Sequence, residues 1–151
     1  MNARQLLKDR PSPCHSITPD QTLGEAVRLL ATHNIGALVV LVEGRLESII
    51  TERDIMRALH RHGRDVDGRQ VREFMATDLV VCQAEDSLDE VMTLLFHNKT
   101  GHRIRHLPVL DDGRLAGMIS IGDIVNALLT ETRFENRILK SYIKNWPEPE
   151  D

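Results

Sequence analysis

The sequence predicts an α+β fold in which one β-α-β-β-α unit is used twice, and three observations lead there. Gly117-Met118-Ile119-Ser120-Ile121-Gly122-Asp123 repeats the form of Ser48-Ile49-Ile50-Thr51-Glu52-Arg53-Asp54: a short apolar run, a hydroxyl residue, two variable positions and an aspartate. Thr22-Leu23-Gly24-Glu25 and Ser87-Leu88-Asp89-Glu90 are capping boxes, each placed before an apolar stripe of helical period. Ala37-Leu38-Val39-Val40-Leu41-Val42 and Leu107-Pro108-Val109-Leu110 are continuous apolar runs, which suit strands buried on both faces.

Taken in order, Ala3 to Lys8 is a short helical lead-in that ends before Pro11 and Pro13, and Ser16-Ile17-Thr18 is extended up to Pro19. The first helix spans about Thr22 to His33, with Leu23, Ala26, Val27, Leu30 and Ala31 on one face. The Ala37 strand follows, then a turn at Glu43-Gly44-Arg45, a strand from Leu46 to Ile50, and a helix starting at Thr51 that fades near His60 to Gln70. After a link around Val71 to Thr77 the same grammar returns: Val80-Val81-Cys82 extended, the stripe Leu88, Val91, Met92, Leu95 and Phe96, then Leu115 to Ile119 entering the Ser120 helix. Each stripe position lies 65 beyond its counterpart, Leu23 to Leu88, whereas Asp54 and Asp123 lie 69 apart. The second copy therefore carries four extra residues, placed near Lys99-Thr100-Gly101-His102, and the chain is a two-copy internal repeat.

Composition narrows the functional classes. With 41% hydrophobic but only 3% aromatic residues the core must be aliphatic, and a net charge of −4, from 19 basic and 23 acidic residues, argues against general nucleic-acid binding. Cys14 and Cys82 form no C-x-x-C pattern, so reduced thiols in a cytoplasmic protein are expected, with no signal peptide and no membrane span. His60, His62, His97, His102 and His106 lack the spacing and partners of a metal site, and none is expected. No Rossmann fingerprint, P-loop or nucleophile elbow is present, and no nucleophile and base can be paired from spacing, so no enzymatic activity is expected.

The repeated hydroxyl-x-x-Asp element has two readings. Thr51 and Ser120 sit where a helix N-cap belongs, with Asp54 and Asp123 closing a capping-box-like pair. The same geometry offers a ligand free N–H groups and a hydroxyl at a helix start, suited to phosphate, and a carboxylate one turn in that can accept from ribose hydroxyls. Two such elements in one small chain point to nucleotide binding.

Two copies of strand, helix, strand, strand, helix, each closing on a (Gly)-hydrophobic-hydrophobic-Ser/Thr-x-x-Asp signature, resemble a tandem pair of CBS (cystathionine β-synthase) domains. The likeness covers roughly Ala3 to Thr130, and Arg103-Ile104-Arg105-His106-Leu107-Pro108-Val109 through Asp123 is similar to stand-alone bacterial members. The resemblance implies a pseudo-twofold Bateman module, with repeats at 8–64 and 71–130 and an extension with an acidic tail at 131–151. It also implies a regulatory role through adenosine-containing ligands (AMP, ADP, ATP, NAD(P) or S-adenosylmethionine) bound between the repeats, sensing energy or redox state for a target the sequence does not name. By the resemblance Asp54 and Asp123 accept from ribose, and Thr51 and Ser120 contact phosphate, with Arg53 and Gly122 beside them. Ile17, Thr18, Val81, Cys82, Ile35, Gly36, Ala37, Ile104, Arg105 and His106 line adenine pockets, with Arg103 and Pro108 in the same segment.

Two departures carry expectations. Ser48 replaces the signature glycine and is expected to crowd the first site, and the inserted residues near Lys99 are expected to reshape the second pocket. Arg103 and Arg105 lie two apart in a segment entering a strand, so they share a face and are expected to give the Ser120 half a preference for several phosphates. Ile124 to Lys144 reads as one helix whose later apolar residues, Phe134, Ile138, Leu139, Tyr142 and Ile143, form either an intramolecular lid or, since the repeat core is already complete, a homodimer contact. The alternative to a ligand sensor is a dimerisation or partner-binding scaffold with vestigial pockets.

Overall fold

The computed structural model describes residues 1–8 and 14–144. The tail motif Trp146-Pro147-Glu148-Pro149 lies outside the described residues. In the first repeat β1 (Ser16–Ile17) pairs in parallel with β2 (Ala37–Val42), which pairs antiparallel with β3 (Arg45–Thr51). In the second repeat β4 (Cys82–Gln83), β5 (His106–Asp111) and β6 (Arg114–Ser120) repeat that order and those directions. Helix α2 (Leu23–His33) joins β1 to β2, and α4 (Leu88–Phe96) joins β4 to β5; α3 (Glu52–His62) follows β3, and α5 (Ile121–Lys144) follows β6. The sheets meet along β3 and β6.

The local causes match between repeats. Thr22 and Ser87 cap α2 and α4 in reciprocal boxes with Glu25 and Glu90. Both hairpins turn on two residues of positive φ, Glu43-Gly44 and Asp112-Gly113, the backbone that matches the twist of the flanking strands. Both carry a register shift at the same place, Val40/Leu41 and Val109/Leu110.

Of the expected extended segment Val80-Val81-Cys82, only Cys82 pairs in a strand: β4 begins there. In the first repeat the Val39 N–H donates to His15 O at 3.1 Å. Pro108 holds the equivalent place on β5 and has no N–H to give, so the parallel ladder starts one residue later.

Each repeat has its own aliphatic core, and each core is completed by the segment that precedes the other repeat. The lead-in helix α1 (Ala3–Lys8) buries Ala3 and Leu6 among Val91, Leu95, Leu107 and Ile119 of the second core. Its Ala3 and Arg4 N–H groups bond Asp86 O and Ala84 O, both at 2.9 Å, and the Arg4 guanidinium reaches Glu85 at 3.0 Å and Asp111 at 3.1 Å. The link does the same for the first core: Val66 and Val71 are buried in it, Val71 N–H bonds Gln21 O at 2.8 Å, Arg72 N–H bonds Pro19 O at 3.1 Å, and Arg72 pairs with Asp20. Burying one such leucine contributes about 2 kcal/mol, so each strap adds to the stability of the core it enters.

Beyond the repeats α5 continues with every residue from 131 to 144 exposed. No helix among the described residues is long and apolar enough to cross a membrane.

Candidate functional site

Both hydroxyl-x-x-Asp elements form reciprocal capping boxes. Thr51 N–H donates to Asp54 Oδ2 at 2.8 Å, Thr51 Oγ1 lies 3.0 Å from the same oxygen, and Asp54 N–H returns to Thr51 Oγ1 at 3.3 Å. Ser120 N–H donates to Asp123 Oδ2 at 2.7 Å, and Asp123 N–H to Ser120 Oγ at 3.2 Å. Capping and ligand binding therefore share these residues, since capping engages one carboxylate oxygen of each aspartate and a carboxylate can accept on both. Each helix start is also fastened to a loop: Glu52 N–H bonds Gly36 O at 3.0 Å, and Ile121 N–H bonds Arg105 O at 2.9 Å.

Two cavities flank this arrangement. The first, of about 370 Å³, joins Thr51, Arg53 and Asp54 of the first repeat to Ala76-Thr77-Asp78 of the link and to the segment entering β5, where Arg103, Ile104, Arg105 and His106 line it. The second, of about 510 Å³, joins Ser120 and the Ala116-Gly117-Met118 stretch of β6 to Leu7, Cys14 and His15, and to the segment entering β2 with Ile35, Gly36 and Ala37. Each cavity thus takes its helix start from one repeat and its loops from the other. Gly36 and His106 line both, and form the common wall.

The CBS domain family model matches residues 7–61 and 71–130, the same two units. The chain belongs to the CBS domain family. It is 39% identical over 132 residues to the mitochondrial CBS domain-containing protein CBSX3 of Arabidopsis thaliana, an alignment covering 84% of this chain but 62% of that protein, so the chain spans less than two thirds of that relative. A crystal structure of a CBS-domain containing protein from Agrobacterium tumefaciens superposes with a TM-score of 0.77 at 38% identity, covering 84% of this chain and 98% of that one. The crystal structure of CBSX2 in complex with AMP shares the fold, with a TM-score of 0.69 at 22% identity over 87% of this chain and 98% of that one.

Within the CBS pair, Ile17, Thr18, Val81, Cys82 and Pro108 do not line either of these two cavities. Ile17 and Cys82 point into the two cores, where burial, aided by the Asp86 charge, pushes the Cys82 thiol up to about 12. Pro108 is buried on β5, Thr18 faces solvent, and Gly122 is exposed on the first turn of α5. The walls come instead from residues just upstream of each first strand, His15 and Thr77-Asp78, which sequence periodicity does not mark. Asp123 is bonded to Ser120, which lines the second cavity, but is not itself among the lining residues.

Arg103 and Arg105 do share a cavity, but it is the Thr51 one, because the loop before β5 crosses to the other repeat. The inserted segment goes with them. Asn98 braces it, its Nδ2 donating to Leu94 O at 2.9 Å and His102 O at 2.8 Å, and Thr100 and His102 line the first cavity rather than the second. Ser48 does not crowd the site either. It is buried at 1% exposure and donates to Ala76 O at 2.6 Å, holding the link segment that walls the first cavity.

The two CBS sites differ in charge. Arg53, Arg57, Arg103 and Arg105 line the first with three carboxylates, Glu52, Asp54 and Asp78. Burial raises the Asp54 pKa above its ordinary 3.8, opposed by the Thr51 hydrogen bonds and by Arg57 and Arg53. Among the described residues the second is lined by no lysine, arginine or carboxylate; its polar groups include His15 and His33, stacked with centroids 3.7 Å apart.

Proposed function

We propose that this CBS pair is a non-enzymatic regulatory module that binds an adenosine-containing ligand, AMP, ATP or a dinucleotide, in the cavities between its repeats. What supports it most is the crossed construction of the first cavity, where a hydroxyl and a carboxylate at a helix start face a cationic loop from the other repeat. A ribose and a phosphate need those two kinds of group a few ångströms apart. AMP bound to CBSX2 supports the same ligand chemistry on this fold.

The ligand's output passes through a second copy of the chain. Helix α5 exposes Phe134, Ile138, Leu139, Tyr142 and Ile143 along its outer half, and Met56, Leu59, Val125 and Leu129 are exposed closer to the repeats. Covering such a surface favours a closed twofold dimer. Native mass spectrometry of gently purified chain, followed by calorimetric titration with adenine nucleotides, tests both parts. Bound nucleotide and twice the chain mass are expected. No heat with any adenine nucleotide at millimolar concentration, in a protein that is still dimeric, selects the scaffold reading.

A further inference from the structure

The geometry points to a division of labour between the cavities: the phosphates of a polyphosphate ligand are read in the first, and the second is built for an uncharged nucleoside-like group. This rests on the ligand-binding reading above and assigns the ligand class of each cavity.

Four arginines converge on the first cavity from two directions. Arg53 and Arg57 stand one turn apart on α3, on the same side of the helix. Arg103 and Arg105 enter on the loop before β5, and the Arg103 guanidinium is steadied over the Phe96 ring, 5.8 Å from its centroid. With Glu52, Asp54 and Asp78 present, the fixed charges of the lining leave an excess of one positive charge, and Asp54 is already engaged by Thr51. Guanidinium forks set around an open cavity match the several oxygens of a di- or triphosphate better than a single phosphate or a neutral sugar.

The repeat itself supplies the control. With the offset that takes Asp54 to Asp123, Arg53 and Arg57 correspond to Gly122 and Asn126. Arg103 and Arg105 correspond to Asn34 and Gly36, which line the second cavity. All four arginines are thus replaced by a glycine or an asparagine. Other wall positions keep their kinds, Thr51 matching Ser120 and His102 matching His33. Among the described residues, what remains in the second cavity is imidazole, amide, hydroxyl, thiol and aliphatic surface, including Leu7, Ile35 and Met118, which suits an aromatic base with its sugar.

The full chain is titrated calorimetrically with ATP, adenosine and inorganic tripolyphosphate, alongside Arg57→Gln and Arg103→Gln, both exposed positions whose replacement leaves the fold intact. ATP should bind more tightly than adenosine, and tripolyphosphate should displace ATP but not adenosine. Each substitution should weaken ATP about tenfold, as the loss of one charge-assisted contact does, and adenosine less than about twofold. Salt should narrow the gap. Equal affinity for ATP and adenosine, or equal losses in the variants, overturns this division while leaving ligand binding standing. Absence of binding by all three overturns the ligand-binding reading and this inference with it.

Discussion

Ser48 and Gly117 occupy the same place in the two repeats, and they fasten the chain differently. Ser48 donates to Ala76 O and pins the link against the first sheet, whereas Gly117 leaves room for Leu7 of α1, whose Cδ2 would lie 3.0 Å from any added Cβ. The backbone solution is shared, but at this position one strap is held by a hydrogen bond and the other by packing. The cavities next to those straps differ in the same manner, with equivalent walls and unlike side chains. A duplicated fold can keep its geometry symmetric while its chemistry diverges, because geometry is set by buried aliphatic and capping residues and chemistry by the exposed ones.

The largest expected effect probes the apolar strap. Leu6→Ala removes a side chain buried at 5% exposure in the second core, and should cost about 2–4 kcal/mol in urea unfolding. Hydrogen exchange should quicken first in β5, β6 and α4, with β2 and β3 following only at global opening. Simultaneous loss of protection in both sheets would show that the straps make the repeats one cooperative unit. Ser48→Ala comes next: it strands Ala76 O, should cost about 1–2 kcal/mol, and should weaken ligand binding in the first cavity as the Ala76-Thr77-Asp78 wall loosens. The reverse exchange, Gly117→Ser, presses on the flexible end of Leu7 and should cost about 1 kcal/mol with no change at the first cavity.

The smallest effect is a pH dependence. Burial raises the Asp54 pKa, so the fold favours its protonated form. That contribution to stability is present in full below the ordinary 3.8 and is lost as pH rises through the folded-state value. Wild type measured against Asp54→Asn should therefore lose ground as pH rises above the ordinary 3.8, while affinity for a ribose-bearing ligand rises as the carboxylate ionises. A stability difference independent of pH would remove the burial account of Asp54.

Most of the fold was legible in the sequence because the repeat shows itself in short-range signals. Capping boxes, apolar runs and turn residues all lie within a few positions of the elements they set. Thr51, Asp54, Ser120 and Asp123 could be picked out for the same reason. Spatial partnership was not legible. Nothing in Arg103 or Arg105 says that their loop faces the other repeat's helix start, and nothing in Leu6 says that a segment preceding the first repeat fills the core of the second. Pro108 does carry a readable signal, since a proline in a parallel ladder has no N–H to give and moves the pairing. The walls at His15 and at Thr77-Asp78 left no pattern, because residues that precede a strand obey no periodicity.

The account turns on where phosphate lands. Hydrogen exchange of the full chain with and without saturating ATP locates it directly, through amides at 51–57 and 100–106 for the first cavity and at 33–37 and 116–122 for the second. Slowing at the first pair of segments that exceeds slowing at the second, and that shrinks in Arg103→Gln, is the predicted result. Slowing centred on the second pair, or equal at both and indifferent to Arg103, would contradict it.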